Sequence, residues 1–362
     1  MKKIVFTVTN ELNYDQRMIR ICTTLANNGY SVTLVGVKFL HSNVLQNKIY
    51  NQKRIKVLSK NGIQFYLEYN LKLFVYLLFT KADAYCAIDL DTILPTYFKT
   101  IFAPKKRLYD AHEYFSQQKE IISRPNVYKI WHCIEKFCVP KFKQGYTVSN
   151  SIATAFLALY KVNYCIIKNV PYAQSINFAI PTPKKIVYQG AVNHARGLEA
   201  LIPAMKTVEA QLHIYGDGNF LAAAKQLTTL HHLQKKIIFE GKFLPHQLNQ
   251  ITATAYIGIN LVENVGLNQY YSLANKFFDY IQFSIPQVTM NYPEYSRINN
   301  EYDVAFLINN CTEHEIIAAI NTLLNDTVLY QKLKTNCTIA AKALNWEVEE
   351  QVLLTFYKNI FE

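Results

Sequence analysis

Tyr188-Gln-Gly-Ala-Val-Asn-His-Ala-Arg-Gly-Leu-Glu-Ala-Leu-Ile-Pro-Ala-Met205, followed after five intervening residues by Gln211-Leu-His-Ile-Tyr-Gly-Asp-Gly218, is the stretch that decides the fold. An apolar run at 186–189 stops at Gly190. A loop then carries Arg196 and Gly197, and Leu198, Leu201, Ile202 and Met205 keep the i, i+3, i+4, i+7 spacing of one helix face. A second apolar run stops at Gly216. Two strand-to-glycine junctions bracketing an amphipathic helix make a βαβ unit. Glycine lets a ligand approach the backbone, the helix N-terminus offers unpaired N–H groups, and arginine adds a fork of donors, a combination suited to a diphosphate. Because the unit begins near residue 186, a whole domain precedes it.

Length and charge extend that reading. At 362 residues and 50% apolar the chain exceeds one ordinary core, and two domains are expected. The seven cysteines are scattered, odd in number and without a Cys-x-x-Cys pair, which argues against a disulfide framework or zinc site and for a reducing compartment. No secretory signal and no run of about twenty apolar residues is visible, so a cytoplasmic protein is expected. Residues 1–172 hold 24 Lys and Arg against 10 Asp and Glu, whereas residues 173–362 hold 14 against 16, so the whole excess of +12 belongs to the first half. Its basic clusters are interleaved with aromatics (Phe98, Phe102, Tyr109, Phe137, Phe142). Such a face is either a solvated surface or a site for anionic lipid or a phosphate-bearing acceptor. No nucleic-acid motif accompanies it, and no nucleic-acid partner is expected.

Short apolar runs alternate with helical patterns throughout. In the first half, strands are expected at 3–9, 32–37, 64–69, 84–88, 107–109 and 145–148, with helices at 15–28 and 71–80. Strands are expected in the second half at 186–189, 211–215, 236–239, 255–260, 286–289 and 304–307. The proline-rich segment 173–185 reads as a linker between domains 1–172 and 186–345. The alternation makes an α/β protein of two doubly wound parallel sheets, with ligands at the carboxyl edges of the strands.

Beyond periodicity, a series of motifs falls in a fixed order: T-N-E-L-N-Y-D-Q-R at 9–17, L-Y-D-A-H-E-Y-F at 108–115, V-S-N-S-I at 148–152, K-N-V-P at 168–171, the 188–218 block, E-N-V-G-L-N at 263–268 and N-K-F-F-D-Y-I at 275–281. Over nearly its whole length the chain resembles the large retaining glycosyltransferase family of GT-B fold, glycosyl transferases group 1, which includes sucrose synthase and the bacterial phosphatidylinositol mannosyltransferases. The resemblance implies two Rossmann-like domains facing across a cleft. The first would be an acceptor domain joined by the C-terminal helix 346–362, packed through Trp346, Val348, Val352, Leu353 and Phe356; the second would bind a nucleotide-sugar donor.

The resemblance also implies roles. His112 reaches over the donor sugar, Arg196 meets the diphosphate and balances charge on the leaving group, and Glu263 holds sugar hydroxyls; these three are the catalytic candidates. Gly190, Arg196, Gly197, Gly216, Val265, Gly266, Leu267, Asn275, Lys276 and Asp279 would bind the donor. Asp279 would stand at a helix start, accepting from the ribose, with Asn275 and Lys276 just ahead of that helix. Asn10, Asn13 and Arg17 would lie on the acceptor side. Transfer in this family is metal-independent, so neither metal nor cofactor is expected beyond the co-substrate. The partners implied are a UDP- or GDP-sugar and a glycan or lipid-linked acceptor, in a surface-polysaccharide pathway such as that of a capsule or O-antigen, with peripheral contact to the inner membrane face.

The chain departs from the family in three places. Fifteen residues separate Glu263 from Asp279 where the family has seven between its paired glutamates, which an insertion at 269–273 would explain. Ala191 stands where an arginine is common, leaving the diphosphate to Arg196 and Lys276. The loop at 10–13 lacks glycine. Two other readings fit part of the pattern: a non-catalytic nucleotide-sugar-binding subunit, suggested by Ala191 and Asp279, and a GT-B epimerase, for which no acid/base set can be assigned.

Overall fold

The computed structural model describes residues 1–102, 105–174, 183–243 and 245–362. The chain divides into two units, Met1–Asn169 with Glu349–Glu362, and Val170–Val348. Of the expected linker, residues 175–182 lie outside the described residues. All seven cysteines are free thiols. Among the described residues no helix is long and apolar enough to cross a membrane.

In the first unit the strands are β1 (Lys3–Thr7), β2 (Ser31–Lys38), β3 (Asn51–Lys56), β4 (Ala84–Ile88), β5 (Lys106–Ala111), β6 (Gln144–Thr147) and β7 (Cys165–Ile166), in the spatial order β3-β2-β1-β4-β5-β6-β7. Every pairing is parallel, and β4 is buried along its whole length, as a sheet covered on both faces requires. The order reverses between β1 and β4, which places a crevice at their carboxyl ends. Asp15 caps the first helix, Gln16–Asn27, by accepting from the Met18 N–H at 2.9 Å.

Two expectations for this unit are corrected. Residues 64–69 are not a strand but part of the helix Gly62–Phe79, and the strand lies earlier, at Asn51–Lys56. Phe65, Tyr69, Leu73 and Leu77 are buried at spacings of four, so a helical period governs the segment. The C-terminal helix Trp346–Phe361 buries Trp346, Leu353, Tyr357 and Ile360, whereas Val348 and Val352 are exposed. At 100° per residue, positions 348 and 352 fall on the side opposite the stripe 346–353–357–360. From Glu349 onward this helix belongs to the first unit, where the Tyr357 hydroxyl lies 3.2 Å from that of Tyr146.

The second unit holds β8 (Lys185–Gln189), β9 (Gln211–Tyr215), β10 (Ile237–Gly241), β11 (Ile257–Asn260), β12 (Gln287–Met290) and β13 (Ala305–Ile308), ordered β10-β9-β8-β11-β12-β13 and parallel throughout. Here the order reverses between β8 and β11. The helix Asn275–Gln282 is pressed close to this point: a Cβ on Gly258 would come within 2.5 Å of the Tyr280 ring, whose hydroxyl donates to the Val187 carbonyl at 2.9 Å. Glycine at 258 therefore lets the helix lie against the sheet and sets where its first turn points.

Candidate active site

At the β8–β11 crevice the chain brings together four segments: the end of β8, the Ala195–Gly197 loop, the loop after β11, and the first turn of Asn275–Gln282. The loops after β8 and β9 are knitted by Gly190 N–H to the Tyr215 carbonyl (2.9 Å) and Val192 N–H to the Asp217 carbonyl (3.0 Å). A Cβ on Gly216 would fall 1.8 Å from the Gly190 carbonyl oxygen, so the two junctions close up only because Gly216 has no side chain. Gly190 itself, at φ +124°, faces open space. Asp217 and Gly218 shape the adjoining turn, with the Gly218 N–H donating to the Asp217 side chain at 2.8 Å.

Arg196 is flanked by two left-handed residues, Ala195 (φ +61°) and Gly197 (φ +73°). Gly197 is the residue before the helix Leu198–Ala204, and a Cβ there would meet Leu261 Cβ at 2.5 Å. The next loop hangs on this one, because the Glu263 N–H donates to the Ala195 carbonyl at 3.0 Å. Glu263 is half-buried. Val265, Gly266 and Leu267 follow, leading into a single helical turn, Leu267–Tyr270. The turn overlaps the expected insertion 269–273 at its last two residues, 269 and 270.

Lys276 is the strongest electrostatic feature of the crevice. Its Nζ is sealed from solvent, makes no hydrogen bond among the described residues, and sits 3.8 Å from the centroid of the Tyr188 ring. Burial, with the charge of Arg196 adding to it, pushes its pKa well below that of an ordinary lysine. Two cations thus converge at a helix N-terminus beside a glycine-lined strand end, and an anion placed there would relieve both.

Three residues differ from expectation. Asn275 and Lys276 are the first two residues of the helix rather than lying ahead of it, and Asp279 is its fifth residue, not its start. The Asp279 carboxylate accepts from the buried Gln189 amide at 3.0 Å, and the Gln189 carbonyl oxygen in turn accepts from Thr252 at 2.7 Å. Sequence reading missed Gln189. Its signal was a polar residue closing an otherwise apolar strand.

In the first unit His112 follows the end of β5. Its Nε2 lies 2.9 Å from Asp110 Oδ2, and its backbone N–H donates to the Asp89 carboxylate at 2.8 Å. Burial works against the imidazolium, but the charge and hydrogen bond of Asp110 outweigh it and raise the His112 pKa. Asp110 is held down for the reciprocal reason: burial would raise it, and Arg17 with His112 overcome that. Arg17 is therefore not an accessible acceptor-side group. It is buried, paired with Asp110 at 3.0 Å and donating to the Ile167 carbonyl at 2.8 Å, so it positions the carboxylate that orients His112.

Asn10 and Asn13 serve the loop after β1. Asn10 accepts from the Leu12 N–H at 2.9 Å, and Asn13 donates to the Val44 carbonyl at 3.0 Å. Leu12 takes φ +76°, the conformation for which glycine would be expected. Nearby lie Asp89 and Asp91, which sequence reading also missed although Asp-Leu-Asp directly follows an apolar strand. Burial raises both, Asp91 to about 7 despite a hydrogen bond from Thr9. Among the described residues no group of three or more His, Cys, Asp or Glu could hold a metal ion.

The comparisons place this geometry among known proteins. Sucrose-phosphate synthase from Thermosynechococcus elongatus matches with a TM-score of 0.84 at 14% identity, covering 100% of this chain and 99% of that one. HepE from Anabaena in complex with UDP and glucose matches with a TM-score of 0.76 at 12% identity, covering 99% and 100%. WaaG, a glycosyltransferase involved in lipopolysaccharide biosynthesis, matches with a TM-score of 0.74 at 12% identity, covering 96% and 99%. At such identities the likeness is one of fold. No curated protein matches the chain in sequence. The family model for glycosyl transferases group 1 matches residues 173–343, which span the β8–β11 crevice and every donor-side residue named above. The chain therefore has the GT-B fold, and residues 173–343 of its second unit match the glycosyl transferases group 1 family model.

Proposed function

We propose that this chain is a retaining, metal-independent glycosyltransferase that moves a sugar from a UDP- or GDP-sugar to a glycan or lipid-linked acceptor in surface-polysaccharide synthesis. The observation that carries the reading is the buried ammonium of Lys276, which makes no hydrogen bond among the described residues and lies beside Arg196, within the unit that matches the family. The Tyr188 ring offsets part of the burial cost, an entering anion would offset the rest, and a nucleotide diphosphate is an anion that fits a glycine-lined crevice at a helix N-terminus. In the transfer step the glycosidic oxygen departs with the diphosphate. Arg196 and Lys276 would balance the charge it gains, which is electrostatic stabilisation aimed where charge develops. Asp279, held by Gln189, would accept from the ribose, and Glu263 would accept from sugar hydroxyls.

His112 would act over the donor sugar, its ring fixed by Asp110 and Arg17. The bound UDP and glucose of HepE and the lipopolysaccharide pathway of WaaG support a nucleotide-sugar donor and a glycan product. The basic excess of the first half supports an anionic or lipid-linked acceptor and peripheral contact with the cytoplasmic membrane face.

The test is to incubate the full chain with UDP- and GDP-sugars and either a lipid extract or soluble glycans. Acceptor-dependent nucleotide release, and a product keeping the donor's anomeric configuration by NMR, support the reading. Release without acceptor or an inverted product contradicts it.

A further inference from the structure

The helix Gly62–Phe79 of the first unit is apolar on both sides. Phe65, Tyr69, Leu73 and Leu77 face the sheet and are buried. On the opposite side Ile63, Leu67, Leu71, Val75 and Leu78 recur at spacings of four, four, four and three, forming one stripe about 22 Å long at 1.5 Å per residue. That stripe is in solvent: Leu67 is 65% and Leu71 66% exposed, and Phe79 at its end 85%. A helix apolar all round is normally enclosed, and a continuous exposed apolar strip of this length marks an interaction surface. The stripe continues onto the helix Ile93–Phe102, where Phe74 meets Phe98 (ring centroids 6.3 Å apart) and Ile101 and Phe102 are exposed.

Charge identifies the occupant. Exposed lysines stand at both ends of the strip, Lys60 before the helix Gly62–Phe79 and Lys81 after it, with Lys105 and Lys106 beyond Phe102. The acid on the helix Gly62–Phe79, Glu68, is already held by Lys72 at 2.6 Å and by the N–H groups of Leu58 and Ser59. A second copy of the chain would bring one basic half against another, which is repulsive. An anionic bilayer instead offers negative headgroups to the lysines and an acyl boundary to the strip. We propose that Ile63, Leu67, Leu71, Val75 and Leu78 insert into the surface of an anionic membrane, with the flanking lysines on the headgroups. This rests on the peripheral membrane contact proposed above and specifies the face that makes it.

Flotation of the full chain with vesicles of phosphatidylglycerol and phosphatidylethanolamine, against pure phosphatidylcholine, tests it, with Leu67→Gln/Leu71→Gln as the variant. Wild type should float with anionic vesicles only, and the double variant should lose binding about tenfold or more. Its nucleotide-induced thermal shift should stay unchanged, showing that the fold and donor site are intact. If wild type does not float, the membrane contact itself is wrong. If the variant floats like wild type, the contact is made by charge elsewhere and the strip is not the docking face. Concentration-dependent dimerisation abolished by the same variant would assign the strip to a second copy and overturn the proposal.

Discussion

The ammonium of Lys276 lies 3.8 Å from the centroid of the Tyr188 ring, buried and without a hydrogen-bond acceptor among the described residues. The ring face compensates part of the lost hydration, an attraction worth roughly 0.5–2 kcal/mol. The remainder is a cost held in the ligand-free protein. Replacing Lys276 by Met should therefore stabilise the ligand-free chain by about 1 kcal/mol while removing its thermal response to nucleotide sugars. Melting curves with and without donor check this; a destabilised variant that still responds to donor would count against the assignment.

Nucleotide binding should also take up protons. Because burial and Arg196 depress the Lys276 pKa in the free protein, part of the population is neutral at alkaline pH. A diphosphate alongside would restore the charge. Calorimetric titration at a pH between the depressed value and the ordinary 10.5, in buffers of different ionisation enthalpy, should show net proton uptake, and Lys276→Met should show none.

The Arg17–Asp110–His112 chain predicts a pH signature. The raised His112 pKa contributes stability that is full below the unfolded value of 6.5 and is lost as pH rises through the folded value. The lowered Asp110 pKa contributes stability that is full above 3.8 and is lost as pH falls through the folded value. The melting difference between wild type and His112→Asn should thus be largest between these limits and shrink as pH rises through the raised folded value. Asp110→Asn should cost more, about 3–5 kcal/mol, because it leaves the buried Arg17 guanidinium uncompensated. A difference independent of pH would show that the pair is not ionised.

Gly216→Ala should disrupt the donor crevice. Its Cβ would lie 1.8 Å from the Gly190 carbonyl oxygen, and backbone has to move to admit it. A loss of at least about 2 kcal/mol together with weakened donor binding is expected from overpacking at this junction. Gly190→Ala meets no atom, so its cost should come from the φ of +124° alone.

Gln189→Leu should separate positioning from binding. Without its amide, Asp279 loses the partner that fixes its carboxylate. The KM for a nucleotide sugar should rise several-fold with kcat little changed, and Gln189→Asn should not rescue it, because its shorter side chain does not span the distance. A fall in kcat alone would place Gln189 in a different role.

Local pattern made much of this legible. The 188–218 block carried its strands, glycines and Arg196 in one reading, because each followed from backbone need at a strand end. The helix Gly62–Phe79 was split because its two apolar faces blur the period at 64–69, and β3, Asn-Gln-Lys-Arg-Ile-Lys, shows little apolar signal as an edge strand exposed at residues 51, 53 and 56. Arg17 was placed on the acceptor side because its partner, Asp110, is 93 residues away and the pair is not visible in the sequence. Gln189 was invisible for the same reason: its two partners are 63 and 90 residues distant, and only the fold joins them.

The most direct measurement of the central claim is a thermal-shift panel of UDP-, GDP-, ADP- and TDP-sugars on wild type and Arg196→Ala, with and without magnesium. At a hundred times its dissociation constant a ligand stabilises by about 2.7 kcal/mol. The account predicts that one nucleotide raises the wild-type midpoint and that the variant loses the rise, which assigns the donor crevice and the base together. No shift with any nucleotide, or an equal shift in the variant, would contradict a donor site built on Arg196 and Lys276.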